Sequence, residues 1–146
     1  MYYAVVMPRD VMSVRVSPSL RDRLQREAAR SGEPPASLAE RLIEEGLRQR
    51  AHPLVRFVDG PTGRRARLIP GPDVWEVVSF IQRSTATGDA KAAHAADWFA
   101  ISGTQVEAAL AYYGAFHAEI DERISLNEQV QAEAEQIANG RSQLLA

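Results

Sequence analysis

Three side chains near the N-terminus have the types and the spacing of a base reader. Ser13, Arg15 and Ser17 occupy every second position of Met12-Ser-Val-Arg-Val-Ser17, so an extended backbone points all three to one face. Arginine presents a planar fork that fits guanine bidentately in a major groove, and the flanking hydroxyls donate or accept beside it. Elsewhere the chemistry is sparse. The chain has no cysteine, which removes disulfides, thiolate metal sites and cysteine nucleophiles. His94 with Asp97, and His117 with Asp121, have helical spacings suited to acid-base or metal pairing, yet neither pair has a third ligand nearby in sequence. They read as solvated helix faces, so no catalytic residue, metal or cofactor is expected and the chain is not read as an enzyme. Trp75, Trp98, Tyr112 and Tyr113 are expected in a core or an interface rather than as a base-stacking platform.

Charge is unevenly distributed along the 146 residues. From 12 to 70 there are twelve arginines against seven acids, whereas from 71 to 146 four basic residues stand against eleven acids. A basic front and an acidic back point to two different partners, one of them polyanionic. Hydrophobic content of 45% and charged content of 25% are globular averages, and no run approaches the length of a membrane span. The short apolar stretch Tyr2–Met7 lacks the basic flank and small-residue cleavage site of a signal peptide. A cytoplasmic protein without a membrane partner is the expectation.

The elements that must position Ser13, Arg15 and Ser17 follow from pattern. Met12, Val14 and Val16 alternate with them, the period of a half-buried strand. Ser17-Pro18 then supplies an N-cap and a first-turn proline, and Leu20, Leu24 and Ala28 form the apolar line of a helix that stops at Ser31-Gly32. After Pro34-Pro35, a second helix over about 35–50 carries Leu38, Leu42, Ile43 and Leu47 on one stripe. One short strand and two short helices bury too little surface for a stable monomer. The unit 12–50 is therefore expected as a homodimer, its two strands paired antiparallel over a shared core.

Residues 54–69 read as a hairpin that turns at Asp59-Gly-Pro-Thr-Gly63, and the turn lacks the spacing of a phosphate loop. Arg64, Arg65 and Arg67 in its second arm suit either phosphate contacts or charge protection of a sheet edge. Helices are expected over 72–83, with Val74, Val77, Val78 and Ile81 inward, over 89–99, and from Ser102. Ser102 with Gln105 makes a capping box there, and Ile101 with Val106 a hydrophobic staple. The pair over 89–116 is acidic and poorly suited to a second DNA site. A last helix over 117–138 has only a thin apolar seam of Ile120, Ile124, Val130, Ala134 and Ile137, broken by Asn127. Such a seam is too narrow for a fully packed globular helix and suits a partner's groove or a copy of itself, the groove being the expectation.

Residues 12–50, through Ser13-Val-Arg-Val-Ser-Pro-Ser-Leu-Arg-Asp-Arg-Leu24 and Ser37-Leu-Ala-Glu-Arg-Leu-Ile-Glu-Glu-Gly-Leu-Arg48, resemble the ribbon-helix-helix family of the Arc and MetJ type. The resemblance implies readout of operator DNA bases by Ser13, Arg15 and Ser17, with the N-terminus of the second helix holding a phosphate. The family usually has a Ser or Thr cap near the position of Pro34. Here that role falls to the N–H groups of Ala36 and Ser37, with the Ser37 hydroxyl beside them.

The remainder resembles a domain that follows such modules in actinobacterial antitoxins of the VapB kind, on Asp59-Gly-Pro-Thr-Gly-Arg-Arg-Ala-Arg67, Gly71-Pro-Asp-Val-Trp-Glu-Val-Val78, Gln105-Val-Glu-Ala-Ala-Leu-Ala-Tyr-Tyr113 and Glu119-Ile-Asp-Glu-Arg-Ile124. It implies a PIN-like ribonuclease toxin as partner. The last helix supplies the candidate toxin contacts, Glu119, Ile120, Arg123 and Ile124, where Arg123 or Arg141 would stand in for the metal charge of an acidic nuclease pocket. The expected fold is thus α+β, mostly α: a ribbon-helix-helix dimerisation module over 12–50, then a β-hairpin and a small helical toxin-binding domain with a long C-terminal helix over 53–146. The expected function is that of an antitoxin that represses its own operon as a homodimer or higher oligomer. The alternative is a stand-alone repressor whose C-terminal domain oligomerises or senses a ligand.

Overall fold

The computed structural model describes residues 9–146, so the Tyr2–Met7 stretch lies outside the described residues. The first helix, α1, spans Pro18–Ser31. Ser17 is extended (φ −64°, ψ 151°) and its Oγ accepts from Leu20 N at 3.2 Å, which satisfies one of the donors that a helix start leaves free. Pro18 fills a first-turn position where no N–H is needed. Gly32 ends α1 in the left-handed region (φ 72°), its N–H returning to Ala28 O. The second helix, α2, spans Pro35–Ala51.

Strands β1 (Val55–Val58) and β2 (Arg65–Leu68) pair antiparallel, with Val55 opposite Leu68 and Phe57 opposite Ala66. Those four residues share one face, and Val55, Ala66 and Leu68 are buried. Helices α3 (Val74–Arg83), α4 (Asp89–Phe99) and α5 (Gly103–Leu145) complete a mostly helical chain with a two-stranded sheet and a long C-terminal helix. The capping box at the start of α5 is formed: Ser102 Oγ accepts from Gln105 N at 3.2 Å and Gln105 Oε1 from Ser102 N at 2.9 Å.

Residues 12–17, expected as a strand paired with a second copy, form no ladder among the described residues of the single chain. One expectation needs revision. The break placed before residue 117 is a kink inside one helix: only Phe116 leaves helical geometry (φ −133°, ψ 40°), and α5 continues past 138 to Leu145.

The chain divides into two compact units after Glu44, within α2. In the first, Ala28 and Leu38 are buried. In the second, the core collects Val55, Ala66 and Leu68 from the sheet, Val74, Val77 and Val78 from α3, Ala95 from α4, and Val106, Ala109, Tyr112, Ile120 and Ile124 from α5. Charged groups tie its loops to this core. The buried Asp73 carboxylate accepts from Arg65 Nε, from Arg67 Nε at 2.8 Å and from Trp75 Nε1 at 3.3 Å. Its backbone N–H donates to Glu76 Oε2 at 2.8 Å at the start of α3.

Gly60 lies against this arrangement. A Cβ there would overlap the Arg65 guanidinium, which would have to shift while its Nε donates to Asp73. Gly60→Ala should cost about 1–3 kcal/mol through the disturbed charged hydrogen bond, measured by urea unfolding. In an Arg65→Ala background the same substitution should cost almost nothing. Equal costs in both backgrounds would show that Arg65 is not what demands glycine.

Candidate nucleic-acid interface

Ser13, Arg15 and Ser17 lie in the segment that leads into α1, and all three are exposed. So are the residues between them: Met12 is 71%, Val14 64% and Val16 50% exposed. Both faces of an alternating segment therefore stand in water, although burying a valine or methionine side chain is worth about 1.5–3 kcal/mol. Leu20 on α1 and Leu42 and Ile43 on α2 are exposed as well. Ser17 has two tasks. Its oxygen caps α1, and a hydroxyl engaged as an acceptor still has its O–H and a second lone pair to offer.

The arginines divide into two kinds. Arg15, Arg21, Arg23 and Arg26, on the leading segment and α1, are exposed and make no ion pair among the described residues. The hairpin arginines are engaged within their own unit. Arg64 donates to Glu45, at 2.7 Å from Nη2, and to Asp59 at 3.1 Å, while Arg65 and Arg67 share Asp73. Donation to Glu45 raises the Arg64 guanidinium further above its usual range, against the opposing effect of burial. Of the two roles open to these three residues, the geometry gives them a third, which is holding the hairpin to α2 and α3. A phosphate would have to compete with carboxylates already in place.

Ala36 and Ser37 are exposed in the first turn of α2. Leu38 N already donates to Pro34 O at 3.1 Å, so the N–H groups ahead of it are those that helix geometry leaves without an internal acceptor. The two prolines remove donors without closing this end.

The residues assigned to a toxin are placed differently. Ile120 and Ile124 are buried in the core of their own unit. Arg123 donates to the carbonyls of Thr62, at 2.6 Å, and Arg64, at 3.2 Å, which clamps the hairpin turn. Glu119 accepts from Arg48 Nη1 at 3.0 Å and from the Tyr112 hydroxyl at 2.7 Å. All four are thus engaged by the chain's own fold. The seam that suggested them does not mark where the core ends.

Tyr112 is the centre of the second unit. It is fully buried, donates to Glu119 and accepts from Arg48 Nη1 at 2.9 Å. The Arg48 guanidinium lies 3.8 Å from the centre of the Phe116 ring, at the kink, and His52 meets Tyr112 and Phe116 edge-on. Burial, and then donation to Glu119, push the Tyr112 phenol well above its ordinary range. His94 and His117 are exposed, and no cluster of three metal-ligating side chains occurs among the described residues. No helix there is long and apolar enough to cross a membrane.

One surface was not foreseen from the sequence. Trp75, Phe80, Arg83, Trp98 and Asn127 line an open groove of about 610 Å³ on α3, α4 and α5. The Trp98 ring stacks on Phe80 (5.6 Å between centroids, 24° between planes) yet remains 72% exposed. The sequence signal was Trp98 itself, which with Phe99 is one of two large apolar residues on an otherwise small and polar helix. No family model, no curated protein and no solved structure matches the chain.

The Tyr112 network makes a pH prediction. A phenol raised in the folded state contributes stability that is present in full below its ordinary value near 10 and is lost as pH rises through that value toward the folded one. Tyr112→Phe should therefore destabilise by about 1–3 kcal/mol at pH 8, and the gap from wild type should close above pH ~10. Denaturant titrations of both proteins from pH 8 to 11 test this; a constant gap across that range would contradict it.

Proposed function

We propose that the chain is a DNA-binding antitoxin. Two copies pair their 12–17 segments into an antiparallel ribbon, the apolar face of Met12, Val14 and Val16 closes over α1 and α2 of both copies, and the opposite face carries Ser13, Arg15 and Ser17 into the major groove of operator DNA. The observation that carries this reading is the exposed alternating segment, whose apolar side chains lack cover and whose arginine lacks an ion pair among the described residues. A second copy supplies both missing parts at once: a strand to complete the ladder and an identical apolar face to complete the core. The Ala36 and Ser37 N–H groups then meet phosphates on either side of the groove, and Arg21, Arg23 and Arg26 add the positive field that backbone binding requires.

The acidic second unit serves the other partner, a PIN-like ribonuclease toxin. With Glu119, Ile120, Arg123 and Ile124 engaged internally, the aromatic groove at Trp98 is the surface of this unit best suited to a protein, since an exposed tryptophan beside an arginine is the composition of an interface hot spot. Co-expression with the product of the neighbouring gene tests this half. Co-purification together with relief of its growth arrest is expected; a neighbour that neither arrests growth nor co-purifies would leave a stand-alone repressor.

Arg15→Ala should abolish specific DNA recognition while leaving the fold intact. Each arginine-guanine contact is worth about 1–3 kcal/mol and a dimer loses two. The measurement is a titration at fixed salt against sequences that the wild-type chain selects from a random DNA pool. Unchanged affinity and preference would exclude the groove assignment.

A further inference from the structure

From Glu128 onward every residue of α5 is exposed, and the Arg83–Glu128 ion pair, at 3.2 Å, is the only side-chain link from this stretch to another element among the described residues. Residues 128–145 thus form about 27 Å of helix with nothing packed on it. An isolated helix of this length is marginal in water. It also carries Val130, Ile137 and Leu144, which are 58%, 74% and 86% exposed, with Leu145 beside the last at 74%.

Those three residues recur at intervals of seven, the repeat that keeps one line of side chains facing a partner helix. The line is narrow. A helix destined for a globular groove carries an apolar stripe of 100° or more, whereas a single seam is the pattern of a helix pair. Gly140 adds an independent sign. It sits in helical backbone where alanine is favoured by about 1 kcal/mol, and a Cβ there would meet nothing within 4 Å. The chain itself gives no reason for that glycine, and the close approach of another helix does.

We infer that residues 128–145 pair antiparallel with the same segment of a second copy, centred on Ile137. In that register Ile137 meets itself and Val130 lies opposite Leu144. On one flank Arg141 packs over Ala134, and on the other Glu133 packs over Gly140, so each large side chain meets a small one. A parallel pair would instead stack Arg141 on Arg141 at the seam, and its helix dipoles would repel. The antiparallel pair separates the two guanidinium-bearing positions by about 12 Å along the axis. This interface is distinct from the ribbon, and it leaves the Trp98 groove to the other partner.

Because the chain has no cysteine, engineered disulfides in the full-length protein report the pairing directly. In a glutathione redox buffer Ile137→Cys should crosslink strongly. Glu135→Cys, on the opposite face, and Leu144→Cys, which faces Val130, should not, while the Val130→Cys, Leu144→Cys double variant should. Adding Gly140→Leu to Ile137→Cys should lower the crosslinked fraction roughly tenfold by overpacking, although leucine is the better helix former; a helix that merely needs propensity would respond in the opposite direction. Crosslinking at Ile137 no better than at Glu135, or equal crosslinking at Leu144 and Ile137, or no loss with Gly140→Leu, would each overturn the inference. All of these are read at α5 alone, so their failure leaves the ribbon reading standing, and loss of DNA binding leaves this one standing.

Discussion

An extended backbone presents donors and acceptors along both edges, and over residues 12–17 none of them meets a strand among the described residues. Most features of the first unit depend on that deficit. The alternation of Met12, Val14 and Val16 with Ser13, Arg15 and Ser17 has physical sense only if one face is covered and the other is not. The chain turns into α1 at once, through a serine cap and a proline that cannot extend a ladder, so the alternating segment stops at Ser17. Helices α1 and α2 bury Ala28 and Leu38 but leave Leu20, Leu42 and Ile43 in water. In the reading proposed above, a segment incomplete in both hydrogen bonds and core is completed by its own copy, with the two-fold symmetry that a palindromic operator would share.

The second unit is organised on the opposite principle, with its charges satisfied from within. Asp73 gathers two arginines and a tryptophan, Glu45 holds Arg64, and Tyr112 sits between Arg48 and Glu119. Arg123 fixes the hairpin turn through backbone carbonyls. Ionic groups arranged in this way fix geometry more than they add stability, because desolvation offsets much of the Coulombic gain. The contrast with the uncommitted arginines of α1 matters for function. It separates cations that make no ion pair among the described residues from cations placed for the fold, which a count of charge along the chain merges.

Local signals were legible in the sequence and distant ones were not. The Ser17 cap, the Gly32 stop, the hairpin and the Ser102–Gln105 box are decided by residues within a few positions of one another, and each takes the expected form. Asp73 meets Arg65 across a turn, and Arg48 meets Glu119 from far along the chain; no periodicity reports such pairs. The internal partners of the candidate toxin contacts were hidden for a related reason. Ile120, Ile124 and Ile137 belong to a single helix, yet the core covers the first two and stops before the third. Where a helix leaves its own domain depends on the shape of what packs on it. The same limit concealed the Trp98 groove, which three helices create together.

The central claim is that residues 12–17 form a strand only between two chains. Amide hydrogen exchange on the full-length protein, resolved by residue, tests it most directly. The ribbon predicts that alternate amides across 12–17 exchange slowly, and that Val14→Asp, or dilution below the dimerisation constant, makes them fast. Uniformly fast exchange across 12–17 in wild-type protein at high concentration would contradict it.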